Sequence, residues 1–255
     1  MTDQSGVTLA AIMKQTVLTS SGFPATRWTL ILAARSLDSR ESRSALETLC
    51  AGYWYPIYAY VRRRGHDPDR THDLTQEFFL RLLENPTFSA ADPQKGRFRA
   101  FLLSSVKFFL SNEYRSTQAQ KRGGGLQILP FEIVSGEASY SREPSHDETP
   151  ETIYDRRWAH ALLDRVLNRL RDEFAANGRV EHFDQLKGCL LDRSDTPYAE
   201  LALQMKTTEG ALKVAISRLR KRYRDLLRAE IGDTVNDPAE IDGEFRYLVA
   251  ALGRA

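Results

Sequence analysis

The sequence predicts an all-α protein of two helical bundles joined by an acidic linker. Three observations carry that reading. Apolar residues recur every three or four positions in one segment after another, and no run alternates with period two. Helix-stopping pairs, Asn85-Pro86 and Asn177-Gly178, separate those segments. Charge is sorted along the chain although its total is near balance: 36 Lys and Arg against 34 Asp and Glu, a formal net of +2.

Residues 1–22 are small and polar and are expected to form a disordered tail. Thr26 suits the cap of a helix over Trp28 to Arg35. A second helix from about Ser42 places Leu46, Leu49, Cys50, Tyr53, Ile57 and Val61 on one side, and Pro56 is expected to kink or split it. His66-Asp67-Pro68-Asp69 reads as a turn. A third helix over 73–84 buries Leu74, Phe78 and Leu82, with Phe79 and Leu83 beside them. A fourth, from Gly96 to about Thr117, turns Phe98, Leu102, Ser105, Val106 and Phe109 inward and Lys107, Ser111 and Tyr114 outward.

Gly123-Gly124-Gly125 breaks regular structure, and the Gly-, Ser- and acid-rich stretch to about Pro150 reads as a linker with a short extended piece at Leu126 to Val134. Helices resume near Thr152, where Trp158, Leu162, Val166, Leu170 and Phe174 recur at spacing four, and continue over 181–192, 197–205 and 208–231. The expected divisions are a tail at 1–22, a first helical module at 23–122, the acidic linker at 123–155, a second module at 156–232 and an extension at 233–255. In that extension Ile241, Phe245, Leu248 and Leu252 form a stripe that either packs on the second module or meets a regulator.

The charge pattern narrows the function. Lys95 to Arg122 holds seven bases and one acid, a net +6. Met205 to Arg228 holds eight bases and two acids, again +6. Phe131 to Asp155 between them holds seven acids and one base, a net −6. Basic helices attract phosphate backbones through counterion release; the alternative is two solvated helix faces. No stretch approaches the roughly 18 apolar residues of a membrane span, and Met1 to Gly22 lacks the apolar core of a secretory signal. Cys50 and Cys189 are then expected to be reduced, in a cytoplasmic protein.

Thr196 to Arg228 is the most informative segment. Thr196-Pro197 suits an N-cap and first helical residue. A short helix, Tyr198 to Met205, directs Leu201, Ala202 and Met205 inward. Lys206-Thr207 leaves room only for a tight turn, and Thr208 caps a longer helix whose Leu212, Ala215, Ile216, Leu219, Tyr223 and Leu226 share a stripe. Lys213, Ser217, Arg220 and Arg224 lie along one flank, Val214 and Lys221 point away, and Arg218 takes the other flank. This is a helix-turn-helix, whose second helix fits a major groove about 12 Å wide. The bland alternative is a helical hairpin with a solvated basic face.

The residues also resemble a known family. Tyr-Ala-Glu-Leu-Ala at 198–202, followed by Thr-Glu-Gly-Ala-Leu-Lys-Val-Ala-Ile-Ser-Arg-Leu-Arg at 208–220, resembles region 4 of the extracytoplasmic-function (ECF) sigma factors of bacterial RNA polymerase. Asp-Leu-Thr-Gln-Glu-Phe-Phe-Leu-Arg-Leu at 73–82 is similar to that family's region 2.2, and Gly-Arg-Phe-Arg-Ala-Phe-Leu-Leu at 96–103, with the helix after it, to regions 2.3 and 2.4. The matches run in the family's order over about residues 25–122 and 156–231.

The resemblance implies a sigma region 2-like bundle, a region 4-like helix-turn-helix, and a non-enzymatic transcription initiation factor without cofactor or metal. Its partners would be core polymerase, through the β′ clamp helices and the β flap, and promoter DNA. Core binding would fall on Asp73, Gln76, Glu77 and Arg81. The −10 element would meet Arg99, Lys107, Phe108, Asn112, Tyr114 and Arg115, where aromatic rings can stack on unpaired bases and cations can hold the strand. The −35 element would meet Thr208, Glu209, Lys213, Ser217, Arg218, Arg220 and Lys221. The acidic linker would enter a polymerase channel with basic walls; a solvated linker explains its composition equally well. Gly123–Gly125, the long linker and the extension depart from the family. An anti-sigma factor, a kinase or the tail itself remain open as regulators.

Two rival readings are weaker. His66, Asp67, Asp69, His72 and Asp73 suggest metal-ligand chemistry, but Asp67-Pro68-Asp69 is turn material and no second cluster completes a site. A helix-turn-helix regulator acting without core polymerase would need a sensing or dimerising domain where residues 25–122 stand.

Overall fold

The computed structural model describes residues 52–84, 97–119, 136–143, 148–191, 196–235 and 237–253, and its regular elements among them are all helical. The expectations for the tail, the helix after Thr26, the start of the second helix, Asn85-Pro86, Gly96, Gly123–Gly125 and the extended piece at 126–134 lie outside the described residues.

Helix α1 covers residues 52–63 and buries Tyr53, Trp54, Ile57, Tyr60 and Val61. The split expected at Pro56 does not occur. Proline lacks the N–H that would bond the carbonyl four residues back, and Arg165 supplies a donor instead, its Nη1 3.4 Å from the Gly52 oxygen. Asp67 ends the following turn: its Oδ1 accepts from the Arg70 N–H at 2.8 Å, with Pro68 at the first position of helix α2, Pro68–Glu84. Leu74, Phe78, Phe79 and Leu82 pack inward. Helix α3, Phe98–Ala119, buries Phe98, Leu102, Ser105, Val106 and Phe109 as the spacing predicts.

Part of the segment read as linker is folded. Helix α4, Gly136–Tyr140, docks on α1, and Gly136 is required there because a Cβ would lie 2.9 Å from the Tyr58 ring. Helix α5 begins at Pro150, inside the predicted linker, and runs to Ala176. Thr149 caps it, accepting from the Thr152 N–H at 3.1 Å, so the start lies two residues earlier than Thr152. Gly178, at φ 65°, closes its far end: the Arg179 N–H reaches the Phe174 carbonyl at 2.8 Å in a Schellman turn.

Helix α6, Val180–Leu186, and a 3₁₀ turn, Lys187–Leu191, lead to helix α7, Tyr198–Gln204. Pro197 occupies the N-cap of α7, one position later than the predicted Thr196 cap. Lys206 then takes φ 51° and the Thr207 N–H bonds the Ala202 carbonyl at 2.9 Å, which turns the chain into helix α8, Glu209–Gly232. A 3₁₀ turn, Pro238–Glu240, precedes helix α9, Ile241–Leu252.

Helix α5 is the spine. Helices α8 and α9 pack along it, and α3 touches it as well. The buried residues of both sets of helices form one cluster. Tyr60 meets Tyr154 edge-on at 6.5 Å, joining α1 to α5. The two bundles are thus joined by packing as well as by chain. Of the two outcomes open for the extension, α9 takes the first: Leu248 and Ala251 are buried between α5 and α8, with Ile241, Phe245 and Leu252 packed beside them. Cys189 is a buried free thiol. No helix of the described residues is long and apolar enough to cross a membrane.

Candidate nucleic-acid interface

The α7–α8 pair carries the clearest outward face. Leu201 and Ala202 of α7 meet Leu212, Ile216 and Leu219 of α8 inside. Thr208 is the N-cap of α8, its Oγ1 accepting from the Ala211 N–H at 3.2 Å. Glu209, Lys213, Ser217, Arg218 and Lys221 are exposed. Glu209 and Lys213 pair with each other at 2.6 Å one turn apart, and that bond holds Lys213 above its ordinary pKa. An exposed pair of this kind is weak, because solvent screens it. No described acid pairs with Arg218, Lys221 or Arg224.

Arg220 corrects the sequence reading. It is half-buried, and its Nε and Nη2 donate to the Cys189 carbonyl at 2.9 and 2.7 Å. It sits on the row nearest the buried stripe, so its long side chain folds inward to a carbonyl of the 3₁₀ turn. Arg222 and Arg228 are also engaged, with Glu173 and Asp242. Three of the eight basic residues counted in this segment are therefore engaged within the fold. Arg224, left out of the predicted contact set, extends the exposed row of Lys213 and Ser217; its spacing was the signal.

On α3 the outer face holds Phe108, 59% exposed, and Tyr114, 68% exposed, with Arg115 exposed and Asn112 half-buried. Large rings left in water beside cations suit stacking on bases better than packing. Lys107 is partly engaged, 2.8 Å from Glu151 of α5. Arg99 is a second correction. It is 6% exposed and cannot touch DNA in this conformation. Its Nε lies 2.6 Å from Glu244 Oε1, Asp155 is 3.4 Å from Nη1, and its guanidinium stacks 3.5 Å from the Tyr247 ring and 5.2 Å from Trp158. The placing of carboxylates from α5 and α9 on this arginine is a tertiary event with no local signal.

The predicted core-binding residues share the accessible side of α2. Asp73 is exposed; Gln76 is half-buried, its Nε2 3.5 Å from His72 Nε2. Glu77 pairs with Arg81, and Arg81 also reaches Glu113 of α3 at 2.8 Å and lies 5.3 Å from the Phe109 ring. Glu113, the one acid of the first basic segment, thus ties α2 to α3 and is 3.6 Å from Arg70 as well.

The acidic segment meets the chain's own cations. Glu137 takes Arg62 at 3.0 Å and the Tyr58 hydroxyl at 2.9 Å. Arg62, ahead of an opposing effect of burial and with help from Tyr58, holds Glu137 below the usual carboxylate range. Glu143 receives Arg156 at 2.9 Å and also Arg157 and Tyr55, while Glu148 pairs with Arg156. Burial, then the hydrogen bond to Glu143, raises the Tyr55 hydroxyl far above its ordinary value. Among the described residues no group of three or more His, Cys, Asp and Glu could hold a metal ion. Asp67 of the suspected cluster serves as the α2 cap.

Residues 55–120 match the family model of Sigma-70 region 2. That stretch holds most of α1, all of α2 and all of α3, and it supports a sigma-70 family factor with a non-enzymatic role in transcription initiation. No curated protein and no solved structure is significantly similar to the chain.

Proposed function

We propose that the chain is an ECF-type sigma factor that binds core RNA polymerase, recognises −10 and −35 promoter elements and directs initiation. One observation carries the reading: a segment matching Sigma-70 region 2 is followed, in the same chain, by a short helix, a tight turn and a longer helix that turns Lys213, Ser217, Arg218 and Lys221 to solvent. In this reading Asp73, Gln76, Glu77 and Arg81 of α2 meet the β′ clamp helices. Lys107, Phe108, Asn112, Tyr114 and Arg115 of α3 hold and stack on the melted −10 strand. Thr208, Glu209, Lys213, Ser217, Arg218 and Lys221 read and grip the −35 duplex, with Arg224 on its backbone; Arg220 is left to the fold.

Run-off transcription with purified core polymerase is the test. Core plus this protein initiates at selected promoters, and core alone does not. A protein that binds those DNAs but neither joins core nor starts RNA is instead a helix-turn-helix regulator, the runner-up. Lys213→Ala with Lys221→Ala lowers the slope of log affinity against log salt by about 0.9 per lost phosphate contact; an unchanged slope removes both from the contact set. Asp73→Ala with Gln76→Ala weakens core binding at unchanged helix content, and equal affinity would contradict the docking face.

A further inference from the structure

The extension after α8 and the start of α3 meet in a heavily buried charge cluster. Glu244 of α9 is fully buried and takes two guanidiniums: Arg97 Nε at 3.0 Å and Arg99 Nε at 2.6 Å. Asp155 of α5 shares Arg99 and accepts from the Tyr247 hydroxyl of α9. Two cations and two carboxylates balance, which is the condition for burying them. The backbone joins in: the Phe98 N–H, one of the donors that a helix start leaves over, bonds the Thr234 carbonyl at 3.1 Å. Leu248 and Ala251 then seat α9 on α5 and α8.

A pair of guanidiniums two residues apart at the start of a helix is also what binds phosphate oxygens, with the same geometry that it offers a carboxylate. Glu244 fills that place from within the chain. Its occupation buries Arg99 and fixes the α3 outer face relative to the α8 outer face.

We propose that α9 is an internal mask: Glu244 occupies the Arg97–Arg99 pair that nucleic-acid phosphate takes when the chain opens, so that the described conformation is a closed form. This rests on the nucleic-acid reading above, and the two can fail separately. Release of α9 exposes both arginines and frees the α3 end from α5.

The experiment uses the full chain as wild type, Glu244→Gln and Leu248→Ala. The glutamine removes the charge and keeps the shape; the alanine loosens α9 and keeps every charge. Hydrogen exchange over 241–252 reads the docking of α9, and exchange over 159–170 reads the rest of the fold. Affinity is measured for a mixed-sequence duplex with an unpaired centre, across a salt series. Both variants are expected to lose protection over 241–252, keep it over 159–170, and bind the DNA about tenfold tighter, because the competent fraction rises. The salt slope steepens by about 0.7–0.9 for each arginine freed, and Arg97→Ala added to Glu244→Gln takes one such step back.

Lost protection over 241–252 with unchanged affinity and slope overturns the mask and leaves DNA binding standing. Unchanged protection in both variants overturns it too. Loss of protection over 159–170 in both variants would assign Glu244 and Leu248 to folding alone and likewise overturn it. Wild type and opened variants that all fail to bind DNA would sink the nucleic-acid reading itself.

Discussion

Replacing Arg165 by methionine is expected to loosen α5 from α8 and from α1. Arg165 of α5 reaches α8 through Glu230, Nε to Oε1 2.8 Å, and α1 through the Gly52 carbonyl, Nη1 to O 3.4 Å. Its side chain is 21% exposed and that of Glu230 11%. Methionine keeps most of the stem's packing and removes both donors. Deleting one partner of a buried pair costs about 3–5 kcal/mol, and partial exposure of the guanidinium brings that to about 2–3. The long bond to Gly52 adds at most about 1 kcal/mol. A loss of about 3 kcal/mol in a chain of this size lowers Tm by roughly 6–12 °C, read by circular dichroism with urea titration as a second measure. Arg165→Met with Glu230→Leu exchanges the pair for apolar contact and recovers most of the loss. A single variant that melts within about 1 °C of wild type, or a double variant no better than the single, would refute the ion pair as a support of the α5–α8 packing.

Three further expectations follow from particular contacts. Lys206 sits at φ 51° in the turn before α8, so Lys206→Gly gains about 1 kcal/mol and Lys206→Val loses about 1–2 in thermal melts; equal melting of the two would mean the turn carries no strain. Arg220→Ala removes two bonds to the Cys189 carbonyl and costs about 1–2 kcal/mol of stability, with the salt slope of DNA binding unchanged; a lower slope would return Arg220 to the contact set. Glu137 is held below its ordinary 4.5 by Arg62. Its folded value is the depressed one, so its contribution is fully present above 4.5 and is lost as pH falls through the folded value. Hydrogen-exchange protection over 136–143, taken relative to the intrinsic rate at each pH, should fall on acidification, and Glu137→Gln should abolish that pH dependence; persistence of the full effect in the variant would assign it to another group.

Much of the fold was legible because helices are local. The rows Phe98, Leu102, Val106, Phe109 and Leu212, Ile216, Leu219, Tyr223 announce their inner faces by spacing alone, and all eight are buried. The turn at Lys206-Thr207 follows from its length and the caps around it. The same locality placed Tyr114 and Lys221 outside. What misled was treating charge as surface. Spacing says on which side of a helix an arginine starts, but its chain spans several ångströms and ends wherever an acceptor waits. Arg99 and Arg220 found acceptors, and Glu137, Glu143 and Asp155 found donors, in parts of the chain far away in sequence.

The sequence by itself therefore determined the helical class, the order of the elements and the faces that α3 and α8 present, since each depends on residues three or four apart. Only the tertiary structure decided which charges remain for a partner and that Glu244 closes over Arg97 and Arg99. Those outcomes depend on desolvation and pairing between distant segments, and a buried ion pair leaves no periodicity in the chain to announce it.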